Sequence, residues 1–267
     1  MLAYHKVTGF ELGGTWMPVG RFLGQIDALL DAGFRFTDED GFLDALDGRR
    51  GCPREEILLT FDDGYRCLLD RALPALEARK VRALIFLPSA YVGRENAWEL
   101  NLPGRRFRHL GWDEILDLER RGFSFGSHAR THRDLTRLST ESMREEIVLS
   151  KEELDGRLAR PVRSVSYPFG RSNTPVRREV ELAGYRAGFS LYPKRSAADP
   201  DRFELLREAV YVIDTARTIR AKLGTGLPSA IEDCKGRMIN AVAVLTPFFK
   251  DGFARSNTTV RRDRDGR

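Results

Sequence analysis

Short apolar runs alternate along the chain with segments in which apolar residues recur at helical spacing. The runs ILLTF at 57–61 and ALIFL at 83–87 are almost continuously apolar, which is typical of parallel strands buried on both faces. The helix-like segments repeat their apolar residues every three or four positions, as expected of helices that cover a sheet. About eight such alternations predict an α/β fold, with the sheet closed or nearly closed into a single-domain (β/α) barrel.

The same patterns give approximate limits for the elements. Strands are predicted at 2–7, 34–37, 57–61, 83–87, 123–125, 165–167, 189–191 and 209–213. Helices are predicted at 22–33, 42–46, 69–76, 112–121, 140–158, 176–183 and 215–223. In the longest helix, Ser142 and Glu145 have the spacing of a capping box.

Composition places the chain among ordinary globular proteins. Hydrophobic residues make up 42% and charged residues 31%, which excludes collagen-like, mucin-like and wholly disordered chains. Cys52, Cys67 and Cys234 form no CxxC pair, so we expect neither a disulfide framework nor a structural zinc site. The sequence shows neither a secretory signal nor an apolar stretch of about 18 residues, so we expect a cytoplasmic protein without an integral membrane segment.

The net charge is concentrated near the C-terminus. A formal charge of +5 would suggest an anionic partner such as nucleic acid. Residues 236–267, however, contain seven basic and three acidic residues, which leaves 37 basic and 36 acidic residues in the first 235. We therefore predict a nearly neutral domain over 1–235, a basic extension over 236–267 and no nucleic-acid partner. The oligomeric state is not predicted.

Two adjacent carboxylates follow the strand at 57–61, in the motif TFDDG at 60–64. Active sites of β/α barrels lie at the carboxyl ends of the strands, so Asp62 and Asp63 are candidates for a base and a metal ligand. Taken alone, Asp-Asp-Gly is more often an Asx turn or a helix N-cap.

The motif GSHARTH at 126–132 contains His128 and His132 and directly follows the predicted strand at 123–125. On a helical turn two imidazoles four residues apart share one face and can bind a single divalent ion. With one aspartate they form a two-His, one-carboxylate set with open coordination positions, which is typical of a catalytic site.

Two further features are weak when taken alone. The turn SYPFG at 166–170 can direct backbone N–H groups toward an oxyanion, although most such motifs are only turns. His5 lies near the end of the first predicted strand and is expected at the same edge of the sheet. A single histidine is more often structural.

The order and spacing of these motifs resemble the NodB-homology polysaccharide deacetylases, carbohydrate esterase family 4. TFDDG is followed by HxxxH about 65 residues later and by YPFG about 35 residues after that, and the resemblance covers residues 55–192. The opening AYHKV is similar to the poly-N-acetylglucosamine deacetylase branch. The resemblance implies a distorted (β/α) barrel that removes N-acetyl groups from GlcNAc residues of a polysaccharide or chito-oligosaccharide and releases acetate.

The resemblance also implies roles for single residues. Asp62 would be the general base, and the N–H of Phe169 would hold the oxyanion within a substrate-binding turn. The metal, typically zinc and in some members cobalt, manganese or nickel, would be bound by Asp63, His128 and His132. The remaining residues expected around the substrate are Tyr167, Pro168, Gly170 and Arg207.

Two departures from the family pattern affect these roles. The late Leu-x-His that usually supplies the general acid is absent, since no histidine follows His132. His5 is the natural substitute; His109 is a reserve candidate, more simply interpreted as a surface-loop residue. The missing motif also leaves open a catalytically impaired protein that only binds glycans.

The second departure is Ser166, which stands where many family members have an arginine. Arg207 precedes a predicted strand and is expected to orient Asp62, to contact a sugar or to form a surface ion pair. Trp98 and Trp112 are possible sugar-stacking residues, although Trp112 begins a predicted helix and packing is the simpler interpretation.

Overall fold

The structure is a computed structural model that describes residues 1–11, 15–98, 106–191 and 201–223. The chain divides into one unit over Met1–Ile219 and a second over Arg220–Arg267. The first unit contains the sheet and the candidate site. The predicted boundary after residue 235, the extension 236–267 and Cys234 lie outside the described residues.

The described residues form eleven strands and seven α-helices. The strands are β1 Leu2–Tyr4, β2 Lys6–Val7, β3 Trp16–Met17, β4 Arg35–Thr37, β5 Glu56–Phe61, β6 Leu84–Leu87, β7 Ser124–Ser127, β8 Ser164–Ser166, β9 Ala187–Ser190, β10 Leu205–Leu206 and β11 Glu208–Ala209. The helices are α1 Val19–Asp31, α2 Glu39–Leu46, α3 Ala72–Ala78, α4 Trp112–Arg120, α5 Thr140–Asp155, α6 Thr174–Leu182 and α7 Ala216–Lys222.

One parallel sheet, in the order β10-β9-β8-β7-β6-β5-β1-β11, forms the centre of the first unit, and β4 pairs with β5. Its two edge strands are separated in the chain by a single residue, Arg207. Leu205 pairs with Phe189 of β9, and Glu208 pairs with Leu2 of β1. The stretch 205–209 therefore connects both edges of the sheet and brings it close to closure, which confirms the predicted closed or nearly closed (β/α) barrel.

Apolar side chains from β5, β6 and β9 pack together inside the barrel. The cluster includes Leu58, Leu84, Phe86 and Phe189, all almost fully buried. Each such side chain contributes roughly 1.5–3 kcal/mol relative to an exposed position. The almost continuous apolar runs are thus explained by strands that are covered on both faces.

The helix ends follow local capping chemistry. At α6, the Asn173 side chain accepts a hydrogen bond from Val176 N at 3.0 Å, and a proline occupies the first turn. At α5, the cap is Ser139, whose Oγ accepts from Ser142 N at 3.3 Å. The predicted capping box at Ser142 and Glu145 is therefore wrong, because the cap lies three residues earlier.

Several predicted limits also differ from the structure. The run 209–213 leaves the sheet after Ala209, and the next residues turn, with Asp214 N donating to Tyr211 O at 2.9 Å. The predicted helix 69–76 is split into a 3₁₀ turn, Arg66–Leu69, and α3. β3 and β10 were not predicted, because two-residue strands show no periodicity.

Cys52 and Cys67 are free thiols. The longest helix in the described part of the chain, α5, has 16 residues, and none of the helices there has both the length and the apolar character needed to cross a membrane.

Candidate metal centre

Asp63, His128 and His132 converge at the carboxyl ends of β5 and β7. Asp63 Oδ1 lies 3.3 Å from His132 Nε2 and 3.7 Å from His128 Nε2, and one ligand atom of each residue lies within 4.8 Å of the others. Tetrahedral coordination with bonds near 2.1 Å separates its ligand atoms by about 3.4 Å. The separations of Asp63 Oδ1 from the two histidine nitrogens are therefore close to those of a zinc-sized divalent ion, and the three residues fit such an ion.

His128 is oriented for coordination by its other ring nitrogen. Nδ1 lies 2.7 Å from the carbonyl oxygen of Ser166, which only accepts, so Nδ1 carries the proton and Nε2 keeps its lone pair. Burial lowers the pKa of His128 to about 4, so the ring is neutral at neutral pH. A neutral imidazole with a fixed tautomer is the form that binds a metal.

The loops of the site contain backbone conformations that L-residues rarely adopt. Five non-glycine residues in the described part have positive φ, and four of them lie here: Asp63 (66°), Ala129 (57°), His132 (58°) and Phe169 (60°). Such conformations cost roughly 1–3 kcal/mol each and persist only where surrounding contacts fix them. The strain is thus concentrated on two metal-ligand candidates and the adjoining turns.

Glu146 of α5 holds the loop between the two histidines. Its carboxylate accepts hydrogen bonds from Thr131 N at 2.7 Å, from Arg130 N at 3.0 Å and from the Thr131 hydroxyl. Sequence reasoning missed this residue. The signal was available, because Glu146 lies between Met143 and Ile147 on the predicted buried face of the helix.

Asp62 is not one of the three candidate ligands and binds Arg207 instead. Asp62 is 2% exposed and the Arg207 side chain is fully buried, and their two hydrogen bonds measure 2.7 and 2.8 Å. Burial alone would raise the pKa of Asp62, but the charge of Arg207 and its hydrogen bonds hold that pKa well below the usual range. The carboxylate is therefore ionised and fixed in orientation.

Arg207 is held from several sides within the barrel. It donates to Thr60 Oγ1 at 2.9 Å and to Ser166 Oγ at 2.7 Å, and its guanidinium lies against the rings of Phe86 and Phe189. Of the predicted alternatives, the structure supports the orientation of Asp62 and contradicts the surface ion pair. Ser166 accepts one of these hydrogen bonds, and Arg207 approaches Asp62 from the junction of β10 and β11, which only β1 separates from β5.

His5 lies beside Asp62. Its Nε2 is 3.9 Å from Asp62 Oδ2, and its side chain is 19% exposed. His5 follows β1 directly, next to β5 in the sheet. It therefore combines solvent access with a position beside the carboxylate pair.

The turn after β8 lies against the histidines. The ring of Phe169 is 5.0 Å from that of His132. Gly170 has a φ of 66°, and a Cβ there would overlap Leu191, so only glycine fits. Pro168 is buried, and the Tyr167 hydroxyl donates to Phe203 O at 2.7 Å. The side chain of Tyr167 thus anchors the turn, and Phe169 is the member nearest the ligand set.

His109 and Trp98 occupy unexpected positions. His109 is 1% exposed, and its Nδ1 lies 2.7 Å from the carbonyl oxygen of Asp63, so its interpretation as a surface-loop residue is wrong. Trp98 stacks on His132 with centroids 4.4 Å apart and planes at 9°. Trp112 packs against the guanidinium of Arg157 at 4.9 Å.

Comparisons with known proteins identify the family of the chain. The family model described as polysaccharide deacetylase matches residues 49–188, just over half of the chain. YxkH of Bacillus subtilis (strain 168), whose name places it among the polysaccharide deacetylases, is 26% identical over 212 residues, covering 79% of this chain and 70% of that protein. The poly-beta-1,6-N-acetyl-D-glucosamine N-deacetylase of Staphylococcus aureus (strain MRSA252) is 22% identical over 173 residues, and the match covers 61% of this chain and 57% of the relative.

Solved structures share the architecture. The Streptococcus pyogenes deacetylase PplD in complex with acetate aligns with a TM-score of 0.72 and 21% identity, covering 85% of this chain and 97% of that one. IcaB from Ammonifex degensii aligns with a TM-score of 0.70 and 24% identity, covering 83% and 95%. At these identities the similarity concerns the fold.

Proposed function

The chain belongs to the polysaccharide deacetylase family, and on that premise we propose that it is a metal-dependent hydrolase that removes N-acetyl groups from GlcNAc residues of a glycan and releases acetate. One observation carries the proposal. The two adjacent carboxylates have different partners: Asp62 binds Arg207, whereas Asp63 faces His128 and His132.

Asp63, His128 and His132 would hold the ion, most simply zinc, with cobalt, manganese and nickel as alternatives. A divalent ion in such a site polarises a carbonyl oxygen and lowers the pKa of water. The neutral state of His128 and the spacing of the ligand atoms support this assignment.

Asp62 would accept a proton from the water that attacks the acetamide carbonyl. Arg207 supports this role because it keeps the carboxylate ionised and restricts its rotation through two hydrogen bonds. Since the Arg207 side chain is fully buried, its function is to position Asp62 and not to contact the sugar.

His5 would donate a proton to the leaving nitrogen, because an amide anion is a very poor leaving group. Its position 3.9 Å from Asp62 and its partial exposure support this role in a chain that lacks the late histidine of the family. The same observation favours an active enzyme over the alternative, a glycan-binding protein with impaired catalysis.

Phe169 would contribute its backbone N–H to the developing oxyanion. Tyr167, Pro168 and Gly170 would shape the turn that presents it. The requirement for glycine at 170 and the anchoring of Tyr167 to Phe203 support a rigid turn.

The proposed substrate is an N-acetylated glycan. The Staphylococcus aureus relative named for poly-beta-1,6-N-acetyl-D-glucosamine supports a β-linked GlcNAc polymer, and chito-oligosaccharides carry the same acetamide. A panel of these glycans and peptidoglycan fragments, assayed for acetate release with added Zn²⁺, Co²⁺ or Mn²⁺, identifies the preferred one.

The catalytic roles are tested with matched variants. We expect Asp62→Asn to lower kcat by roughly 10²- to 10⁴-fold, whereas Asp70→Asn, an exposed carboxylate after the same strand, leaves kcat unchanged. His5→Ala should reduce amide hydrolysis far more than hydrolysis of an aryl acetate, because a phenolate leaves without protonation. Full activity of Asp62→Asn would contradict the mechanism, and binding without acetate release by the metal-loaded wild type would support the glycan-binding alternative.

A further inference from the structure

Trp98 and His109 contact two of the three metal-ligand candidates. The indole of Trp98 stacks on His132 at 4.4 Å with nearly parallel planes, and His109 Nδ1 lies 2.7 Å from the backbone carbonyl of Asp63. The rings of Trp98 and His109 are themselves 5.1 Å apart. Both residues lie on the segment between β6 and α4, which contains none of the ligands.

The two ligand candidates that they contact are the two with strained backbones. Asp63 has a φ of 66° and His132 a φ of 58°. Left-handed conformations of such residues persist only where neighbouring groups fix them. The N–H of His109 restrains the Asp63 peptide, because a carbonyl oxygen can only accept. The face of Trp98 restrains the imidazole plane of His132.

His128 provides an internal comparison. It is oriented by the Ser166 carbonyl, which lies 2.7 Å from its Nδ1. Among the described residues, its ring contact is with His132, and it shows no hydrogen bond or ring contact with Trp98 or His109. Its φ is not positive. The segment after β6 therefore contacts Asp63 and His132, the two ligand candidates with positive φ. His128, whose φ is not positive, is held by the Ser166 carbonyl instead.

We propose that Trp98 and His109 are positioning residues of the metal centre, which hold His132 and Asp63 so that their ligand atoms converge before an ion binds. The inference rests on the metal site of the proposed function, but it does not depend on the identity of the glycan. Outer partners of metal ligands typically change metal affinity when they are replaced.

The test measures metal affinity directly. The Kd for Zn²⁺ and Co²⁺ is determined by chelator competition on the full chain for the wild type, Trp98→Leu and His109→Phe. The phenylalanine keeps a ring against Tyr65, which stacks on His109 at 4.9 Å, but removes the N–H. We expect each variant to bind either ion about 10- to 100-fold more weakly. Phe107→Leu is the matched control, because Phe107 contacts Tyr65 and no ligand candidate, and its Kd should not change.

A second measurement separates positioning from general support of the fold. The visible spectrum of the Co²⁺-loaded protein reports ligand geometry, so it should change in Trp98→Leu and His109→Phe even at saturating Co²⁺. Trp98→Phe retains an aromatic face and should recover most of the affinity. If Trp98→Leu does not fold, Trp98→Met and His109→Phe decide the question, with thermal unfolding of the metal-free proteins as the folding check.

The outcomes distinguish this inference from the proposed function. Folded Trp98→Leu (or Trp98→Met) and His109→Phe proteins that bind Zn²⁺ and Co²⁺ with wild-type affinity and give the wild-type Co²⁺ spectrum would overturn the positioning role and leave the proposed deacetylase intact. A wild-type protein that takes up no divalent ion would overturn the metal centre and, with it, the inference.

Discussion

Arg207 is the residue whose replacement should reveal most about the site. In Arg207→Met a shorter, apolar side chain replaces the guanidinium that lies against Phe86 and Phe189. Asp62 then loses both hydrogen bonds and the only cation within 3 Å of it among the described residues. Because Asp62 is 2% exposed, its carboxylate becomes an uncompensated buried charge. Breaking a buried pair in this way costs about 3–5 kcal/mol.

This magnitude is measurable by urea and thermal unfolding. A protein of this size loses about 2–4 °C in Tm per kcal/mol, so we expect Arg207→Met to lower Tm by roughly 6–20 °C. The double variant Asp62→Asn/Arg207→Met removes both charges, and replacing a whole buried pair is often nearly neutral. We therefore expect it to be about 2 kcal/mol more stable than Arg207→Met alone.

Two results of this double-mutant cycle would contradict the coupling of Asp62 and Arg207. If Arg207→Met lost less than about 1 kcal/mol, the pair would have the weak energetics of a surface salt bridge. If the double variant lost the sum of the two single losses, Asp62 and Arg207 would not be coupled. Either result would refute the assignment of Arg207 as the residue that holds Asp62.

Three further experiments test the supporting structure. Glu146→Ala should destabilise the protein by about 2–4 kcal/mol in urea unfolding, because the partly buried N–H groups of Arg130 and Thr131 lose their acceptor. An unchanged midpoint would contradict the role given to this carboxylate. Gly170→Ala should lower the free energy of unfolding by about 2–4 kcal/mol, because the new Cβ would overlap Leu191 and the residue has a left-handed φ. Gly24→Ala, which has open space in α1, should raise it by about 0.5–1 kcal/mol in the same assay. Equal effects would be inconsistent with this packing. Ser139→Ala should cost about 1 kcal/mol and Ser142→Ala less, as measured by thermal unfolding, and the reverse order would restore the cap at Ser142.

The sequence was sufficient to identify the residues that stand in short motifs at strand ends. The aspartate pair, His128 and His132 could be identified as site candidates because they follow apolar strands, and a parallel barrel brings the carboxyl ends of its strands to one edge. The choice of Asp63 over Asp62 as the metal ligand came from the family resemblance. The convergence of Asp63, His128 and His132 within 4.8 Å required only the fold and the local turns. The prediction of the barrel succeeded for the same reason, since the long apolar runs of β5 and β6 have an unambiguous pattern.

Partners that meet across long stretches of chain could not be identified in this way. Arg207 and Asp62 are 145 residues apart, and the sequence left three roles open for the arginine. His109 was misinterpreted because the burial of a loop residue depends on its packing against Tyr65 and Trp98, which no local pattern encodes. Glu146, by contrast, stood on a predicted buried helix face, where a carboxylate signals a specific partner.

Removal and return of the metal ion test the central claim most directly. Acetate release from GlcNAc oligomers is measured for the chelator-treated protein, verified as metal-free by elemental analysis, and again after addition of one equivalent of Zn²⁺. We expect activity to disappear and return in the wild type, and not to return in His128→Ala. Acetate release at an unchanged rate by the metal-free protein would contradict the proposed metal-dependent deacetylase.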